Sequence, residues 1–73
     1  MADIQYRQLV LSSCRRKRTP VTVFLINGFQ MRGIIDAFDD DVVILISDKK
    51  QNMIFRHAIS TINPSIPVTL TET

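Results

Sequence analysis

Several things this chain has little of narrow what it can be. Cysteine occurs once, at Cys14, so no disulfide can staple the fold. Histidine also occurs once, at His57, and one cysteine with one histidine cannot supply a structural zinc site. No apolar run approaches the length of a membrane span. The start, MADIQYRQ, lacks the basic residues and continuous apolar stretch of a secretory signal. The expectation is a cytoplasmic protein with no metal, cofactor or membrane partner, and an unpaired cysteine suits a reducing compartment. At 73 residues there is room for one small domain, whose core leaves a thin margin of stability. Self-association is the staple that remains. A hydrophobic content of 45% is enough to cover an interface as well as a core.

Charge is nearly balanced, at +2, but unevenly placed. Arg15, Arg16, Lys17 and Arg18 form one positive run, and Asp39, Asp40 and Asp41 form a negative one. From Ile4 to about Lys17 there is neither Gly nor Pro. Ile4, Tyr6, Val10, Leu11 and Cys14 recur at helical spacing there, with Leu9 the outlier. An amphipathic helix follows, with Asp3 as N-cap and the basic run in the last turn, where cations favour the helix dipole. Pro20 is expected to stop it.

From Val21 the period becomes two. Val21, Val23 and Leu25 take one face, and Thr22, Phe24 and Ile26 the other. Asn27-Gly28 then signals a tight hairpin, because both residues tolerate positive φ. A second strand runs from Phe29 to about Phe38, with a bend or close backbone approach at Gly33. After the aspartate turn, Val42 to Ile46 is unbroken aliphatic, as for a strand covered on both faces. Ser47 to Lys50 turns the chain, Gln51 to Arg56 makes a fourth strand, and Ile59 to Ile62 a short fifth after a break at His57-Ala58. Asn63-Pro64 closes the ordered region. The expected organisation is one domain over residues 1–64 and a frayed tail over 65–73. A helix followed by five short, bent strands implies a mainly β fold that curls into a small open antiparallel barrel. Its edge strands need protection or a neighbour to pair with.

Two stretches, VTVFLINGFQMRG (Val21 to Gly33) and FRHAIST (Phe55 to Thr61), closely resemble the signature segments of the Hfq family. The likeness runs from the helix to Pro64. It implies an Sm-like fold: an N-terminal helix on a strongly bent five-stranded antiparallel sheet, six copies closing into a ring through their fourth and fifth strands. It also implies an RNA chaperone that binds small regulatory RNAs and messages and promotes their pairing, in post-transcriptional regulation.

The resemblance assigns residues to three surfaces. On the rim, Arg15, Arg16 and Arg18 match arginines that contact RNA bodies. Alone, such a run is more often solvated charge on a helix end; guanidinium forks also suit phosphate, and a ring would make the patch a belt. On the distal face, which takes adenine-rich RNA, the matching residues are Phe24, Asn27, Gly28, Phe29, Gln30, Met31, Arg32 and Thr61, with Asn52 where a glutamine is common. Two aromatics flanking a turn can simply fill a core. Beside Gln30 and Arg32 they also offer what base stacking needs, and alternation cannot bury both strands completely. On the proximal face, around the pore, Arg56 and His57 match positions near uridine-rich 3′ ends, with arginine where lysine is common. There the chain departs from the family. Asp40 and Asp41 take the places of a polar amide and a uridine-stacking aromatic, Arg7 stands where the helix usually offers a glutamine, and the following loop is one residue longer.

Other chemistries fare worse. Cys14 with His57 as base would lack an orienter and an oxyanion hole, and the aspartate cluster reads as a turn before it reads as a cation site. The expectation is a binding protein, not an enzyme, with RNA and copies of itself as partners and no small-molecule substrate. The competing expectation is an Sm-like ring serving as a structural or protein-interaction module, its RNA faces degraded.

Overall fold

A computed structural model of the chain describes residues 5–70. It consists of a helix α1 (Tyr6–Lys17), strands β1 (Pro20–Leu25), β2 (Gln30–Phe38), β3 (Val42–Ser47) and β4 (Lys50–Phe55), a single 3-10 turn (Arg56–Ala58), and strand β5 (Ile59–Pro64). The strands form one antiparallel sheet in the order β4-β3-β2-β1-β5. Among the described residues both β4 and β5 are therefore open edges. Register shifts between Phe24 and Leu25 and between Ile35 and Ala37 mark irregularities of the bulge type, which bend strands. Leu11, Cys14, Val21, Val23, Ile35, Val43, Leu45 and Ile54 form the core, so α1 covers one face of the sheet.

Several local expectations are revised. Asp3 and Ile4 lie outside the described residues. Gln5 occupies the N-cap and makes no side-chain capping bond. The helix ends at Lys17, with two residues between it and Pro20. Arg18 enters the left-handed region at φ 52°, its N–H donates to the Arg15 carbonyl, and the Thr19 N–H donates to the Cys14 carbonyl at 3.0 Å. That is the Schellman ending usually given to glycine, and Pro20 already belongs to β1. At Asn27-Gly28 only Gly28 has positive φ, 93°. Gly28 N–H donates to the Leu25 carbonyl and Leu25 N–H to the Phe29 carbonyl, the pattern of a turn closed by a glycine bulge. Positive φ at two consecutive residues occurs instead at Asp48 and Lys49, between the paired Ser47 and Lys50.

Gly33 does sit at a close approach: a Cβ there would collide with the Ile46 carbonyl of β3. Strand β3 is buried on one face only, through Val43 and Leu45. Val42, Ile44 and Ile46 stay half-buried in the single chain. Strand β5 extends to Pro64, and the Ser65 N–H donates to the Pro20 carbonyl at 2.9 Å. Val68 packs against the core, so chain beyond residue 64 still contributes to it.

Candidate nucleic-acid interface

Strand alternation puts the residues of β1 that are not in the core on the opposite, open face. There Phe24 stands directly opposite Gln30 on β2 and opposite Thr61 on β5. Such neighbours have Cβ atoms about 4.5–5.5 Å apart. The result is a three-strand row with an aromatic ring at its centre and polar groups on both sides. Phe24 is 37% exposed and Phe29 71% exposed, so neither fills the core. They do not share a row, however. Phe29 precedes Gln30, so its side chain has the opposite parity, at the tip of the hairpin beside Asn27, whose Oδ1 accepts the Phe29 N–H at 3.1 Å. Arg32 lies on the Phe24 face, opposite Thr22. Met31, opposite Val23, packs against the core. Asn52 is remote from the row within one chain. It lies on β4, across the sheet from β5, and its amide donates to the Lys50 carbonyl at 3.1 Å and the Leu45 carbonyl at 3.4 Å.

The basic run separates into two kinds of residue. Arg15 donates through Nε to the Asp36 carbonyl at 2.8 Å. Asp36 sits within the β2 register shift, so Arg15 ties the helix end to an irregularity in the strand. Arg16 and Arg18 are exposed and line, with Arg15, Ser12, Ile35 and Asp36, a single cleft at the end of α1.

A third group gathers between the start of α1 and β5. Arg7 from the helix and Arg56 from the 3-10 turn line one cleft of about 380 Å³ with Tyr6, Val10, Ile59 and Ser60. The Arg56 guanidinium carbon lies 5.7 Å from the centre of the Phe38 ring, within cation–π range. Arg56 Nε and Nη2 are buried and have no hydrogen-bond partner among the described residues. An unpaired buried donor costs about 1–3 kcal/mol or more when charged, so these groups favour an added acceptor. His57 is exposed and stacks on Phe55, with ring centres 5.7 Å apart at 25°. The aspartate turn adjoins this group, since the Arg56 N–H donates to the Asp41 carbonyl at 2.8 Å. Asp39 Oδ1 accepts the N–H groups of Asp41 at 2.8 Å and Val42 at 2.9 Å. Those bonds, foremost the one from Asp41, hold its carboxyl below the ordinary carboxylate range, and the charge of Arg56 adds to the effect. Asp40 and Asp41 are both exposed.

Cys14 is fully buried in the core, and burial pushes its thiol pKa up, away from the thiolate that a nucleophile requires. Among the described residues no three His, Cys, Asp or Glu side chains group closely enough to hold a metal ion. Among those residues, too, no helix is long and apolar enough to cross a membrane. Sequence reasoning missed Phe38 as the ring under Arg56, and the tie from Arg15 to Asp36. Both join elements distant in sequence, and no periodicity signals them.

Comparison with known proteins gives a consistent result. The Hfq protein family is matched over residues 6–69. An RNA-binding protein Hfq from Desulforudis audaxviator is 47% identical over 71 residues, covering 97% of this chain and 86% of that one. The RNA-binding protein Hfq of Moorella thermoacetica is 52% identical over 64 residues, covering 88% and 76%. Among solved structures, a crystal structure of the pleiotropic translational regulator Hfq superposes with a TM-score of 0.80 at 44% identity. It spans 81% of this chain and 98% of that one.

Proposed function

Because the chain belongs to the Hfq family, with that family's Sm-like fold, we propose that it is a cytoplasmic RNA-binding chaperone, one that holds small regulatory RNAs and messages and promotes their pairing without chemistry on either. Like its relatives named RNA-binding protein Hfq, it would bind RNA. The observation that carries this reading is the exposed Gln30–Phe24–Thr61 row. A ring flanked by amide and hydroxyl groups can stack one base and bond its edge, which is how single-stranded RNA is recognised. Arg16 and Arg18 supply free guanidinium groups for phosphate on the flank, with Arg15 partly committed to the fold.

The complete surface requires neighbours. Six copies would join β4 of one to β5 of the next, bringing Asn52 of one chain beside the Phe24 row of another. The two edges left open by the sheet order support that arrangement. Around the resulting pore would stand Arg7, Arg56 and His57, with Asp40 and Asp41 nearby. The exposed carboxylates favour one competing reading, an Sm-like ring whose RNA faces are degraded and which serves as a structural or protein-interaction module.

Titration with A-rich, U-rich and structured RNAs at two salt concentrations separates the two. The chaperone should bind A-rich RNA, and Phe24→Ala should cost about 1–3 kcal/mol per stacked base while circular dichroism stays unchanged. Absence of binding to all three RNAs, or A-rich binding indifferent to Phe24→Ala, would overturn the assignment of the open face.

A further inference from the structure

Two residues along β1 from Phe24, the open face carries a second row. Thr22 stands opposite Arg32 on β2 and opposite Asn63 on β5, just as Phe24 stands between Gln30 and Thr61. Alternate residues of a strand share a face, so the two rows run side by side about 6.6–6.8 Å apart. Arg32 and Asn63 are both exposed. Neither head group makes a hydrogen bond among the described residues. Their backbones are nevertheless held, Arg32 by its strand pairing and by the Ser47 hydroxyl, which donates to its carbonyl at 2.7 Å, and Asn63 by pairing with Thr22. Two unbonded polar side chains on held backbones therefore flank a small hydroxyl residue, next to an aromatic row.

We infer that this second row is a nucleotide subsite adjoining the stacking row: Arg32 takes the phosphate between two successive nucleotides, and Asn63 reads the second base as adenine. The inference rests on the open face being the A-rich binding face. The spacing of the rows is about twice the ~3.4 Å rise of a stacked strand. An RNA segment crossing both must be unstacked, which frees its base edges. A guanidinium fork matches phosphate geometry. A carboxamide presents one donor and one acceptor side by side, the complement of adenine N7 and its N6 amino group. Thr22 is small enough to let a base lie against the strand between them. Arg32 is one of the positions already assigned to this face; Asn63 gains a role that its place after the last signature segment does not suggest.

The test compares an A-tract with the same tract built from 7-deazaadenosine, which lacks only the N7 acceptor. Full-length wild type, Asn63→Ala, Asn63→Asp, Arg32→Ala and Phe24→Ala are measured by fluorescence anisotropy, with circular dichroism and native mass to confirm fold and assembly. Asn63→Ala should bind the A-tract at least fivefold more weakly and lose most of the wild-type penalty for the deaza substitution. Asn63→Asp, which keeps the shape and lacks the amide donor, should do the same. Arg32→Ala should flatten the salt dependence by about 0.7 in log–log slope for each phosphate no longer neutralised. If the Asn63 variants bind like wild type, or keep the full deaza penalty, while Phe24→Ala weakens binding, the second subsite alone falls. If Phe24→Ala also leaves binding intact, the open face is not the binding face and both readings fall.

Discussion

At Asp41 the chain places a carboxylate where the resemblance implies a stacking ring. A carboxylate has no π-face and repels phosphate, and Asp40 beside it doubles the charge. The backbone at this point is well held. Asp41 N–H is bonded to the Asp39 carboxylate, and its carbonyl receives the Arg56 N–H. A change of side chain at 41 thus alters chemistry without removing the turn. Arg7 and Arg56 line a common cleft nearby, and their charge offsets part of the repulsion without replacing the missing ring. U-tract RNA should therefore bind wild-type protein weakly, well below A-rich RNA, and Asp41→Phe should strengthen it. Anisotropy with a short U-tract at fixed salt measures both, because screening changes the charge terms. Tight U-tract binding by the wild type, unaltered in Asp41→Phe, would show that the pocket is built from other residues.

Elements raise a different question, that of turn chemistry. The hairpin joining β3 and β4 places Asp48 at φ 52° and Lys49 at φ 64° with no glycine at either position. A residue with a Cβ costs about 1–2 kcal/mol in that region, and a glycine cancels part of the gain through its freer unfolded chain. Lys49→Gly should raise stability by about 0.5–1 kcal/mol, read as a higher urea midpoint at unchanged slope. A lower midpoint would mean that the lysine side chain contributes something its exposed position does not show. At the end of α1, replacing Arg15, Arg16 and Arg18 together by Ala should slow annealing of two structured RNAs and flatten the salt dependence of their binding. Short A-rich oligomers, which the open face would hold, should be affected much less. Because Arg15 also bonds the Asp36 carbonyl, the melting temperature should be followed in parallel. Equal weakening for both kinds of RNA would point to a destabilised helix.

The whole molecule looks unfinished as a single chain. Among the described residues its sheet has two unpaired edges; Met53 and Phe55 on β4 are 58% and 48% exposed; and an apolar cleft lies beside β5. Exposed apolar side chains at an open sheet edge invite a neighbouring strand. Edge pairing of unlike strands, β4 to β5, is head-to-tail and closes only as a ring or continues as a filament. Native mass spectrometry should show six copies of an 8.4 kDa chain, about 50 kDa. A dominant monomer would remove the ring and leave Asn52 with no route to the Phe24 row.

Local pattern was enough to read the order of elements. A run free of Gly and Pro with helical spacing became α1; period two became β1; Gly33 announced a close approach; and two long motifs carried the family. These depend on which face a residue takes and on what its own backbone tolerates, and both are properties of neighbours in sequence. Tertiary structure decided register. A slip of two residues keeps every side chain on its own face, so alternation alone could not say that Phe24 lies between Gln30 and Thr61, or Thr22 between Arg32 and Asn63. It likewise decided that Met31 turns to the core, that Asn52 sits at the far edge, that β3 is buried on one face, and that Arg15 is tied to a carbonyl of β2. Each of these follows from the pairing of distant segments and from two register shifts, which are settled only when the bent sheet closes over its core.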